Sequence, residues 1–224
     1  MRSTKNVVVD FEFCKVSKKQ RSMAGTQLRQ EIIEFGAVML DEHMNVIGRF
    51  QKFVKPQYGT VSPFITNLTG ITSEMLENEM YFPEVMAVFV RWIGDSDFQM
   101  ASWSMSDYRQ LSEEILDKCE EDYSYIFDAW RDIQKEYANG IGFDGVLSLK
   151  NAMSSIDENF EGKAHDALAD AENTVLLVAL LADKKQFDKR TKNLQDLLKP
   201  TAETGNTLGR MFEDFFAEWG YALG

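Results

Sequence analysis

A chain of 224 residues with 44% hydrophobic, 12% aromatic and 27% charged positions is long enough for one large α/β domain and short for two. Its net charge of −12 excludes a broad basic surface of the kind that coats nucleic acid. No apolar run approaches the ~20 residues of a membrane span, and the N-terminus lacks the longer apolar region of a secretory signal, so a soluble, cytoplasmic protein with no membrane association is expected. Cys14 and Cys119 form no metal-ligand pattern and read as free thiols.

Residues 6–14 come first, and the run Val7-Val8-Val9 reads as a central, buried strand. Two carboxylates interrupt it. At period 2, Asp10 and Glu12 leave one face about 7 Å apart while Phe11 and Phe13 face the other way. Acids beside a core need a partner, and two hard oxygen donors fit Mg²⁺ or Mn²⁺. A strand end also carries Asp or Glu for solvation or capping, and taken alone the motif favours that structural reading. Between residues 15 and 29, Lys15, Lys18, Lys19, Arg21 and Arg29 occur without one acid. The stretch reads equally as a mobile solvated loop or as a phosphate contact beside Asp10 and Glu12.

Residues 30–40 and 46–54 are further strands that make a meander with the first. Pro56, Gly59 and Pro63 punctuate a loop ending in residues 62–76, where Gly70 supplies a backbone conformation that other residues resist. Pro83 suits a first helical turn, followed by Val85, Val88, Phe89 and Trp92 at helical spacing. Residues 98–103 form a short strand with Asp107 beyond it. Ser106 is the expected cap of a helix to about Cys119, with Glu113, Glu114 and Asp117 on a solvated face.

Residues 123–127 read as another strand and Asp128 as the cap of a helix over 129–137. The Gly140-Ile141-Gly142 loop separates it from a helix over 145–154. The last strong helix runs from about 163 to 183, with Ala167, Ala171, Val175 and Val178 permitting close approach to a sheet. A charged connector over 185–192 follows, then a final amphipathic helix carrying Leu208, Met211, Phe212, Phe215 and Trp219. That helix is expected to pack on its own domain, with a protein partner as the alternative. Alternating strands and helices after an opening meander point to a mixed α/β layer fold, with a domain over 1–184 and an appendage over 185–224.

His165 and Asp170 are the second informative pair. A five-residue step turns an ideal helix by about 140°, so the two converge only where His165 precedes the regular helix or sits in a distorted first turn. Gly162 then leaves His165 on a mobile approach and Asp170 on a rigid helix. Asp166 competes as a ligand, or supplies favourable charge at the helix N-terminus. Singly, Asp107 reads as a first-turn carboxylate, His165 as a surface histidine and Trp103 as core. Their ordered occurrence with Asp10 and Glu12 outweighs those readings.

Asp10-x-Glu12, Trp103-x-x-x-Asp107 after a strand and His165-x-Ala167-x-x-Asp170 opening a helix together resemble the three-motif signature of DEDDh 3′→5′ exonucleases. Ile65-Thr66-Asn67-Leu68-Thr69-Gly70-Ile71-Thr72 and Phe160-Glu161-Gly162-Lys163-Ala164-His165 are similar to the branch containing histone-mRNA and RNA-interference-related exonucleases and the KapD sporulation-inhibitor type. The resemblance implies a ribonuclease H-like three-layer fold, a central mixed five-stranded sheet flanked by helices. It also implies a metal-dependent enzyme that releases nucleoside 5′-monophosphates from single-stranded RNA or DNA 3′ ends, RNA more than DNA.

Two Mg²⁺ (or Mn²⁺) ions are implied. Asp10 would bridge both, Glu12 and Asp170 would hold the ion carrying the attacking water, Asp107 would support the second, and His165 would take the water's proton. By the same analogy Leu68, Thr69, Gly70 and Ile71 would receive the terminal nucleotide, with Leu68 and Ile71 sandwiching its base or merely anchoring the loop. Phe13 and Trp103 complete the implied substrate contacts. The branch commonly has a small residue and then Thr where this chain has Phe13 and Cys14, so contacts near the terminal sugar differ here. The rival readings are a non-catalytic regulatory or interaction protein that retains the fold, and a small-oligonucleotide phosphodiesterase.

Overall fold

Val7, Val8 and Val9 sit in the middle strand of a five-stranded mixed sheet in the computed structural model of the chain, which describes residues 4–199. β1 (Lys5–Lys15) pairs antiparallel with β2 (Gln30–Leu40), and β2 pairs antiparallel with β3 (Val46–Phe53), the expected meander. On its other side β1 pairs parallel with β4 (Phe98–Ser102), and β4 with β5 (Trp130–Asp132), giving the order β3-β2-β1-β4-β5. The helices are α1 (Lys18–Ala24), α2 (Pro63–Thr69), α3 (Ser73–Leu76), α4 (Phe82–Ile93), α5 (Met105–Lys118), α6 (Ile133–Ile141), α7 (Leu149–Ser154), α8 (Ala167–Ala182) and α9 (Lys184–Leu198). None of the described helices is long and apolar enough to cross a membrane.

Helices cover both faces of the sheet, which makes three layers. On one face Val7, Val9, Phe11 and Phe35 pack against Val85 and Phe89 of α4 and Leu111 and Ile115 of α5. On the other, Val8, Val38 and Leu40 pack against Tyr137 of α6, Ala152 of α7 and Val175 and Val178 of α8. Each fully buried side chain of this size contributes about 1.5–3 kcal/mol. With both faces covered, β2 is buried from Glu31 to Leu40 with no alternation.

Several elements depart from the sequence reading. Residues 15–29 contain a helix, not only a loop: Ser17 Oγ accepts from the Gln20 amide, the Gln20 side chain accepts from the Ser17 amide, and Gly25 (φ 74°) ends the helix. Ser104, not Ser106, caps α5. The aromatic run 123–127 folds as a 3₁₀ turn (Ser124–Phe127) that drops Ile126 into the core, while the strand that completes the sheet is Trp130–Asp132. Asp132 rather than Asp128 then caps α6. The pairing edge of β4 decides this, and no local pattern records it. The helix expected over 145–154 starts at Leu149 behind a Ser148 cap. Residues 185–192 are helical, within α9, whose Phe187 ring packs against Gly140 of α6. The amphipathic segment carrying Leu208 to Trp219 lies outside the described residues.

The acids of α5 are not all solvated. Glu114 is fully buried beside Glu31, and Lys118 Nζ lies 2.6 Å from Glu31 and 2.7 Å from Glu114. Glu31 also accepts from the amides of Gln57, Tyr58 and Gly59, and Glu114 from the Ile32 amide. Buried charges persist where they are paired and hydrogen-bonded in this way.

α8 comes closest to the sheet at Gly36, the register partner of Asp10. A Cβ on Gly36 would overlap the backbone of Ala167 and Leu168. The missing side chain lets the N-terminus of α8 descend beside the carboxyl end of β1. Gly36→Ala should push α8 outward and cost about 1–3 kcal/mol, a fall of about 2–4 °C in Tm for each kcal/mol. Thermal unfolding reads the change, and an unaltered Tm would contradict the close approach.

Candidate active site

β1 and β4 run parallel and end at the same edge of the sheet, while β2 on the other side of β1 runs the opposite way. Such a change of strand direction leaves a crevice beyond the carboxyl ends of the strands. A cleft of about 400 Å³ opens there, and Asp10, Glu12, Asp107, His165 and Asp170 all line it.

Each side chain arrives by a different route. Asp10 and Glu12 continue the face of β1 that carries Val8, toward α8. The register slips between Glu12, opposite Glu34, and Phe13, opposite Ile32. Phe13 packs with Phe11 on the face opposite Glu12, and both also border the cleft. β4 ends at Ser102, whose hydroxyl accepts from Trp130 Nε1 at 3.0 Å and donates to the Ser104 carbonyl at 2.6 Å. Ser104 caps α5, which sets Asp107, almost fully buried, in its first turn.

Asp166 is the N-cap of α8, its carboxylate accepting from the Ala169 amide at 3.0 Å, and Asp170 follows one turn on. His165 stands outside the helix in the left-handed region, at φ 64°. That conformation, uncommon for a residue with a side chain, turns its amide to donate to Asp170 Oδ2 at 2.9 Å. Its Nδ1 lies 3.8 Å from Glu12 Oε1. The approach carries hydrogen bonds of its own: Asn173 exchanges them with the Glu161 backbone, and Lys163 Nζ donates to the Thr69 carbonyl at 2.8 Å. Gly70 caps α2 in the left-handed region at φ 83°, which strains any residue with a side chain, and the Lys163 ammonium group sits beside it.

Of the residues expected at the substrate, the cleft wall includes Phe13, Leu68 and Trp103. Trp103 is at the same time part of the core, with its indole N–H donating to the Leu147 carbonyl. Thr69, Gly70 and Ile71 are not wall residues. The Thr69 hydroxyl is occupied by the Ile65 carbonyl and the Ile71 amide, and Ile71 is buried under α2 and α3. Ile65 lines the cleft instead.

Glu34 is the acid that sequence reasoning missed. It is buried opposite Glu12, accepting from Gln51 Nε2 at 2.8 Å and from the Ala167 amide at 3.2 Å. Its one signal is an acid inside the apolar run Ile32-Ile33-Glu34-Phe35, and only the strand register turns that into a position.

Burial and mutual repulsion push these carboxyls upward. Glu12 is raised to about 8, first by burial and then by Asp170, Glu34 and Asp107. Burial raises Asp107 to about 7 and Asp170 to about 6. Asp10 is raised well above its ordinary value by burial, Asp107 and Asp170. His165 is lowered from 6.5 by burial and by Lys163. Among the described residues no lysine or arginine forms an ion pair with any of the four acids. Ligand atoms of Glu12, His165 and Asp170 lie within 4.8 Å of one another, a donor set that could hold a hard divalent cation, with Asp10 and Asp107 facing the same space.

Because these carboxyls titrate near 4 when unfolded and at about 6 to 8 when folded, the folded protein binds the extra protons between those values. The cluster's contribution to stability is therefore greatest at low pH and falls as pH rises toward 8. In EDTA, Asp107→Asn should raise Tm at pH 8 on the order of 5 °C, by about a third as much at pH 5, and hardly at all below pH 4. A lower Tm than wild type at pH 8 would contradict the repulsion.

The RNase_T family model, described as an exonuclease, matches residues 7–178. The 3'-5' exoribonuclease 1 of Rattus norvegicus is 25% identical over 166 residues, covering 68% of this chain and 47% of that protein. ERI1 exoribonuclease 2 of Danio rerio is 26% identical over 224 residues, covering 88% of this chain and 39% of that protein. The chain thus spans half or less of the length of these curated relatives. Among solved structures, the nuclease domain of 3'hExo, a DEDDh family member bound to rAMP, matches with a TM-score of 0.67 at 23% identity, covering 82% of this chain and 94% of that one. The histone mRNA stem-loop complex of a 3'-exonuclease matches with a TM-score of 0.68 at 20% identity, covering 81% and 83%. These likenesses carry the fold, ribonuclease H-like with helices on both faces of a mixed sheet. A match running from the start of β1 almost to the end of α8 takes in every strand of that sheet, and the chain belongs to the RNase_T exonuclease family.

Proposed function

We propose that the chain is a metal-dependent 3′→5′ exonuclease that releases nucleoside 5′-monophosphates from single-stranded 3′ ends, RNA in preference to DNA. One contrast carries the reading. Where buried acids serve the fold, at Glu31 and Glu114, Lys118 forms an ion pair with both. At the cleft, Asp10, Glu12, Asp107 and Asp170 have no such cation among the described residues, and divalent ions would supply the positive charge that a phosphodiester anion needs there. The preference for RNA rests on the relatives, named as exoribonucleases, and a 2′-hydroxyl is the group by which a site would make the choice.

The donor set fits hard cations, and Asp10, Glu12, Asp107 and Asp170 would hold two of them, Mg²⁺ or Mn²⁺. Bound there, such ions offset the phosphodiester charge and lower the pKa of an attacking water. His165 takes the proton of that water on Nδ1, the ring nitrogen that faces Glu12. Its lowered pKa keeps the imidazole neutral, and so able to accept, at pH 7. The Asp170 bond and the left-handed backbone fix where the ring stands. The water oxygen bonds to phosphorus as the bond to the preceding 3′ oxygen breaks, and that oxygen takes a proton from solvent, leaving a shortened chain with a 3′-hydroxyl and one nucleoside 5′-monophosphate. Leu68 and Phe13, on the cleft wall, would hold the terminal nucleotide. Residues 1–184 would be the catalytic domain, with 185–224 an appendage whose α9 packs on α6 and α8.

Incubation of 5′-labelled RNA and DNA oligomers with the protein and Mg²⁺ or Mn²⁺ should give a ladder descending from the 3′ end, faster for RNA. Asp10→Ala should abolish it and His165→Ala should slow it about 10²–10⁴-fold. Cleavage that persists in Asp10→Ala would overturn the proposal.

A further inference from the structure

The surface beside the cleft carries the opposite charge. Lys15 and Gln30 line the far end of the cleft wall, and the chain between them holds Lys18, Lys19, Arg21 and Arg29 with no acid, in a protein of net charge −12. Among the described residues none of these five cations has an ion pair, whereas Arg49, Arg131 and Arg190 are each paired with a glutamate.

The segment is tied down at both ends. Val16, Thr26 and Leu28 are buried at its two ends, Thr26 Oγ1 donates to Asp117 at 2.6 Å, and a capping box and a left-handed glycine fix the ends of α1. Yet α1 buries none of its own residues. A short helix ordinarily forms to cover a core. This one presents Lys18 and Lys19 to solvent, with Arg21 half-buried beside them.

We infer that residues 15–29 form a phosphate-binding rail for the part of a single strand that lies upstream of its terminal nucleotide. The inference rests on the exonuclease reading for the identity of the strand. Lys15 lies three residues beyond Glu12, about 10 Å along β1, and α1 extends about 10 Å more. The rail therefore starts at Lys15 on the cleft wall and continues along α1, where it would meet the phosphates behind the scissile one. It also answers an electrostatic need. The cleft floor is acidic and repels a polyanion, so attraction has to come from its rim, and unpaired cations on a segment tied down at both ends supply it without first being freed from a partner.

The test replaces Lys18, Lys19 and Arg21 together by Gln, leaving the Ser17 and Gln20 cap intact, with circular dichroism confirming the fold. Two substrates are compared in Mg²⁺: a single-stranded RNA of about 12 nucleotides and a dinucleotide. The expected result is a fall of at least about tenfold in kcat/KM for the long substrate, carried by KM, with the dinucleotide changed by less than about twofold. Binding of a fluorescent 12-mer in EDTA, read by anisotropy, should weaken, and the slope of log K against log salt should shrink by about 2, near 0.7 for each lost contact. If wild type hydrolyses neither substrate, the exonuclease reading fails while the binding arm still judges the rail. Equal loss on both substrates, unchanged binding, or loss confined to binding of phosphatidylserine vesicles would overturn the rail.

Discussion

Five carboxylates, on Asp10, Glu12, Glu34, Asp107 and Asp170, repel one another at the carboxyl end of β1, and among the described residues none has a lysine or arginine in an ion pair. Like charges about 4 Å apart cost on the order of 4 kcal/mol at the effective dielectric of a protein site. The chain brings them together from four elements, so each element has to be fixed by something other than the acids. β1 is held by ladders on both sides, α5 by its Ser104 cap and the core under Leu111, and α8 by the notch at Gly36. Glu34 does double service, since its bond to the Ala167 amide ties α8 to the sheet while its charge adds to the repulsion.

The other buried acids show what the same fold does with charge that has no use outside it. Glu31, Glu114 and Lys118 form a closed group that fastens the backbone of residues 57–59 and the edge of β2 to α5. Those residues lead into α2, so the cluster that holds a lysine supports the wall on which Leu68 stands, while the one without a cation forms the floor. Lys163 joins the two sides by reaching from the His165 loop to the end of α2. The cleft is thus tied at its floor, wall and approach by hydrogen bonds that need no ligand, the kind of preorganisation that electrostatic catalysis relies on.

Much of this was legible in the sequence because it is written in local chemistry. The Val7-Val8-Val9 run, the acids at period 2 and the five-residue spacing from His165 to Asp170 each imposed a geometry before any contact was known, and His165 does lie outside the helix. What stayed hidden depends on partners far along the chain. β5 is three residues long and exists because β4 has an edge to fill. Glu34 gains its position only from register with Glu12. Glu114 looked solvated because its cation lies one turn on and another of its partners, the Ile32 amide, lies far back in the chain on β2. α1 was legible in principle, since Ser17 and Gln20 spell a capping box, but its cations drew the reading toward a loop.

The account stands on acids that hold protons until cations replace them. Calorimetric titration of Mg²⁺ into the protein at pH 7, in two buffers of different ionisation enthalpy, counts protons released for each chain. With Glu12 at about 8 and Asp107 at about 7 in the cation-free protein, release of about one proton or more is predicted at pH 7, falling toward none by pH 9. Binding without proton release, or binding that Asp10→Ala leaves intact, would contradict it.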